Sequence, residues 1–86
     1  MTRVLLCDDH VVFADALAMA VAASGYEVVG VTRTVAEALA EARATQPDVV
    51  VMDLHFEHGP DGLTGVRALT GASPAPRCRA RPLWHR

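Results

Sequence analysis

"VLLCDDH", Val4–His10, carries four apolar residues straight into two adjacent carboxylates. "VVVMDL", Val49–Leu54, repeats the pattern and ends its apolar run on Asp53. An unbroken apolar run of this length reads as a parallel strand covered on both faces, since a strand with one wet face would alternate. Between the two runs lies "YEVVGV", Tyr26–Val31, β-branched and set off by the Ser24-Gly25 break.

The connecting segments have helical period. In 11–24, Phe13, Leu17 and Val21 recur every fourth residue, and Gly25 suits the end of the helix. The next helix opens with Thr34-Val-Ala-Glu37, the spacing of a capping box. Val35, Ala38, Leu39 and Ala42 then share one face, and Pro47 ends the helix. A third helix starts near Leu63, carries Val66 and Leu69, and ends at Gly71.

The order is therefore β-α-β-α-β-loop-α, which predicts an α/β fold with a parallel sheet. In such sheets ligands gather at the carboxyl ends of the strands, near the point where strand order reverses. Asp8, Asp9 and Asp53 all stand at such ends. Taken singly, each reads as a cap or a turn residue. Taken together, three carboxylates at neighbouring strand ends read as a site. Two like charges 4 Å apart repel by about 4 kcal/mol at an effective dielectric near 20. A hard divalent cation offsets that repulsion, and oxygen ligands favour Mg²⁺ or Mn²⁺. A carboxylate beside such an ion is equipped to attack a phosphoryl group.

Eighty-six residues make at most one small domain, and an apolar content of 51% argues against disorder. The net charge of −2 hides a division. All ten acids lie in residues 1–71, whereas residues 72–86 hold four arginines and no acid. That last stretch, "ASPAPRCRARPLWHR", has three prolines and no strand or helix period, and is read as a disordered basic tail. Its arginines lack aromatic interleaving, so no nucleic-acid contact is expected. Two separated cysteines, no leader-like run and no long apolar span indicate a cytoplasmic protein without a membrane segment. His55 and His58 in a polar loop read as solvated rather than metal-binding.

Residues 3–54 resemble the first half of a response-regulator receiver domain, closest in style to those attached to LuxR-type DNA-binding domains. "DDH", the "VVG" second strand, "VVVMDL" and "DGLTGVRAL" (Asp61–Leu69) follow in the family's order, so the resemblance covers roughly residues 2–71. It implies a flavodoxin-like doubly wound sheet, here incomplete, with strands 1–3 and helices 1–3 only. Residues 1–71 would form a partial receiver, C-terminally truncated. The module would be no enzyme in its own right. It would accept a phosphoryl group on Asp53 from a sensor histidine kinase in a two-component phosphorelay. Asp8, Asp9, Asp53 and the backbone carbonyl of His55 would hold Mg²⁺. Its partners would be that kinase and another receiver chain.

Three departures bear on activity. Glu57 stands where the family usually has proline. Arg81 falls near the place of a Ser or Thr that binds the phosphoryl oxygens, and the chain contains no lysine to fill the family's other position. Truncation is therefore expected to impair switching and to leave the third strand as an exposed edge. The alternative readings are a non-phosphorylated interaction fragment and a frame-shifted, non-functional product.

Overall fold

The computed structural model describes residues 1–53, 62–71 and 77–81. Seven elements follow in order: β1 (Arg3–Cys7), α1 (Val11–Ala23), β2 (Glu27–Thr32), α2 (Val35–Thr45), β3 (Val49–Asp53), α3 (Gly62–Thr70) and β4 (Arg77–Arg81). The strands form one parallel sheet in the order β2-β1-β3-β4. The chain thus leaves β1 on one side to make β2 and crosses to the other side to make β3. That reversal lies at the carboxyl end of β1.

The flavodoxin-like arrangement of β1–β3 with three helices stands as read from sequence. One strand is added to it. Arg77–Arg81, assigned from sequence to a disordered tail, pairs with Val49–Asp53 along its whole length. The third strand is therefore not the sheet edge, which is a correction to the expected exposed template. The physical reason is that the backbone groups along the free side of β3 need partners. A neighbouring segment supplies them through its own backbone, whatever its side-chain pattern.

Packing is unequal on the two faces. Leu5, Cys7, Val50 and Met52 meet Val35, Ala38 and Ala42 of α2 and Leu69 of α3 in one buried cluster. Gly65 permits the close approach of α3: a Cβ there would lie 2.9 Å from Met52 Cε and 3.1 Å from Val35 Cγ1. On the opposite face Val4 and Leu6 are buried, while Val49 and Val51 are only half-buried. The Phe13–Leu17–Val21 stripe of α1 is partly covered: Leu17 and Val21 are half-buried, Phe13 is exposed, and Ala14 is the fully buried position.

Local signals set the helix limits. Thr34 Oγ1 accepts from the Glu37 N–H at 3.1 Å. The glutamate reaches back to the N–H of Arg33, one residue before the cap, at 2.9 Å. Glu37 in the first turn and Arg43 in the last both complement the helix dipole. At the far end Gln46 takes a left-handed conformation, φ 47°. Gly25 does the same after α1, at φ 94°, where glycine carries no steric cost.

Cys7 Sγ donates to the Thr34 carbonyl at 3.3 Å. Burial pushes its thiol up from 9.0 to about 11, with the charges of Asp8, Glu37 and Asp53 adding to the effect and a hydrogen bond with Thr32 opposing it. The folded thiol thus holds its proton where the unfolded one loses it. Stability from this group is complete below about pH 9 and is lost as pH rises toward about 11, by up to about 3 kcal/mol. Urea midpoints should fall across that window, and Cys7→Ala should flatten the fall.

Candidate functional site

The site forms at the carboxyl ends of β1 and β3. Cys7 and Met52 are register partners, so Asp8 and Asp53 follow side by side. Asp8 is held on its other side as well, because its N–H donates to the carbonyl of Thr32, the last residue of β2, at 3.0 Å. Thr32 Oγ1 donates to the Leu6 carbonyl at 3.0 Å, tying the ends of β1 and β2 together. Asp8 and Asp53 are 1% and 0% exposed, which for carboxylates demands compensation.

His10 is the N-cap of α1, yet its side chain makes no capping bond. Instead its backbone N–H donates to Asp8 Oδ1 at 2.9 Å, a turn closed by an aspartate two residues back. The turn swings the imidazole over the acids. Its Nδ1 lies 2.9 Å from Asp8 Oδ1, 3.2 Å from Asp9 Oδ1 and 3.9 Å from Asp53 Oδ2. One ligand atom from each of Asp8, Asp9, His10 and Asp53 falls within 4.8 Å of the others.

The structure therefore brings together all three aspartates singled out from sequence. It adds His10, the last residue of the DDH stretch. The available signal was its place directly after Asp9, at the first turn of α1. The backbone carbonyl of His55 lies outside the described residues, as do Glu57 and His58. Arg81 ends β4 as the register partner of Asp53. The position that the resemblance reserves for a hydroxyl residue is thus beside the third carboxylate and is held by arginine.

The donor set suits a divalent cation. Three carboxylates supply hard oxygens, two of them already removed from water, and their mutual repulsion is what a doubly charged ion offsets.

Comparison with known proteins agrees with this geometry. The family described as the response regulator receiver domain matches residues 4–79. A protein-glutamate methylesterase/protein-glutamine glutaminase of Anaeromyxobacter dehalogenans is 44% identical over 75 residues, covering 86% of this chain and 22% of that protein. The DNA-binding transcriptional activator DevR/DosR of Mycobacterium tuberculosis is 38% identical over 79 residues, covering 91% of this chain and 36% of that protein. Among solved structures, a LuxR-family two-component response regulator from Aurantimonas sp. SI85-9A1 superposes with a TM-score of 0.87 at 32% identity, over 96% of this chain and 60% of that one. The chain thus spans a fifth to a third of the length of these two curated relatives. No described helix is long and apolar enough to cross a membrane.

Proposed function

Since the chain belongs to the response regulator receiver domain family, a phosphoacceptor module of two-component signalling, we propose that Asp53 is its phosphoacceptor. The observation that carries this reading is the buried Asp53 carboxylate at the end of β3, set against Asp8 and Asp9 at the reversal point of the sheet. Asp8, Asp9 and Asp53, with the His55 carbonyl, would hold Mg²⁺. When bound, the ion supplies charge that neutralises the phosphoryl oxygens.

The chain's own residues do the rest. An Asp53 carboxylate oxygen attacks phosphorus in line, forming the acyl phosphate O–P bond as the P–N bond of a phosphohistidine breaks. The leaving imidazole keeps the bonding pair. Asp8 and Asp9 would hold the ion beside Asp53. The donor is proposed to be a sensor histidine kinase in the cytoplasm. Val11, Val12 and Phe13, exposed at the start of α1 next to the site, support protein contact there, with the kinase or with another receiver chain. The esterase and glutaminase activities named for the relatives belong to those whole proteins, and none is assigned to this chain.

Calorimetric titration with MgCl₂ tests the metal half of the reading. Wild type should show saturable binding at one site. Asp9→Ala combined with Asp53→Ala should show none. Equal affinity in the two proteins would refute the ligand assignment.

A further inference from the structure

α1 is apolar on every side. Within Val11–Ala23 only Asp15 is polar, yet Val12 and Met19 stand exposed. The sheet face beneath it is covered on one half alone. α1 lies over β1 and β2, and no described helix covers that face of β3 and β4, where Val49 and Val51 are half-buried. We propose that this chain forms a two-fold dimer in which the α1 of each copy lies over the β3–β4 half of its partner. It rests on the proposed contact with another receiver chain, and needs neither the ion nor phosphoryl transfer.

The two surfaces are reciprocal. A helix that is apolar all round is a helix buried all round. α1 buries Ala14 against its own sheet, while Val12, Ala16, Met19 and Ala23 recur at helical spacing as a second, exposed stripe. The β3–β4 half of the sheet has the opposite shortage, an apolar surface without a helix. One molecule thus offers both a spare helix side and the place for one, as a self-complementary two-fold interface requires. A two-fold axis running alongside α1 meets both needs at once, with the two helices side by side in one layer between two sheets. α1 starts at the carboxyl end of β1, so that axis keeps the carboxyl ends of the two sheets together. Asp15, near the start of α1 and 64% exposed, then comes over the partner's β4, where Arg77, Arg79 and Arg81 hold the register positions beside Val49, Val51 and Asp53. An acid on the helix and arginines on the strand it covers are complementary in charge. The same arginines oppose a simpler assembly through the β4 edges. In an antiparallel pair of that strand centred on Arg79, Arg77 would stand opposite Arg81 and Arg79 opposite its own copy.

Sedimentation equilibrium of the full chain over a wide concentration range tests it. The mass should pass from 9.2 kDa to twice that value. Met19→Glu puts a carboxylate in the middle of the exposed stripe, where the monomer's own packing is untouched. It should weaken association at least about tenfold, with an unchanged circular dichroism spectrum. Ala44→Glu, on the exposed side of α2, should alter association less than about threefold. Nitrogen-15 spectra of wild type give a reading that needs no variant: on concentration the amides of Met19, Ala23, Val49 and Val51 should move together, and those of α2 should stay fixed. A chain that is monomeric throughout, a dimer indifferent to Met19→Glu, or amide shifts confined to α2 or β2 would overturn the proposal. Amides of α1 that move only when anionic vesicles are added would overturn it in favour of a lipid surface. A dimer broken by Met19→Glu in a chain whose Asp53 takes no label from acetyl phosphate would uphold it and count against the phosphoacceptor reading alone.

Discussion

Asp53→Asn is expected to take no label from acetyl phosphate under conditions in which wild type is labelled. The substitution keeps size and shape but replaces the nucleophilic carboxylate with an amide, which does not form a stable acyl phosphate. Asp8 and Asp9 remain, so any label they accept would appear undiminished in the variant. Wild-type labelling should itself be inefficient. Arg81 holds the register position beside Asp53 where the family's hydroxyl residue is expected. A donor aimed at developing phosphoryl charge is worth about 3 kcal/mol, so lacking the hydroxyl slows transfer by about a hundredfold. Intact-mass measurement over a time course reads both effects. Stable label on Asp53→Asn would refute the assignment.

Leu5→Ala should have the largest effect on stability. Leu5 lies on an inner strand, is 0% exposed, and belongs to the buried cluster that joins the sheet to α2 and α3. Its Cδ1 lies 3.1 Å from where a Cβ on Gly30 would be, so the side chain uses the space that glycine leaves on β2. Truncation there removes apolar contact and leaves a cavity that the surrounding strand and helix cannot collapse into. The cost is about 2–5 kcal/mol, against the roughly 5–15 kcal/mol that holds an ordinary domain together. The other face offers little reserve, because α1 leaves Val12 83% and Met19 73% exposed. Urea unfolding should show the midpoint falling by a third or more. A change below about 1 kcal/mol would mean that the cluster does not carry the fold.

Much of this arrangement was legible from residue pattern because each element carried its own signal. Val4–Cys7 and Val49–Asp53 had unbroken apolar runs, and Thr34 with Glu37 announced the start of α2. The convergence of Asp8, Asp9 and Asp53 followed from placing those runs in neighbouring parallel strands. β4 was not legible, and for a physical reason. Arg-Cys-Arg-Ala-Arg has no β-branched or aromatic residue, and its strand conformation comes from the open hydrogen-bonding side of β3 rather than from its own propensity. The placement of His10 over the carboxylates was hidden for a different reason. A histidine before a helix reads as a polar cap, and the turn closed on Asp8 Oδ1, which carries the ring over the carboxylates, exists only in three dimensions.

The central claim is that the carboxylate cluster holds a cation which directs phosphoryl transfer to Asp53. Peptide mapping of wild type after acetyl phosphate treatment, in Mg²⁺ and in excess EDTA, tests it most directly. The account predicts label on the peptide containing Asp53 in Mg²⁺ and none in EDTA. Label that persists in EDTA, or that maps to another residue, would contradict it.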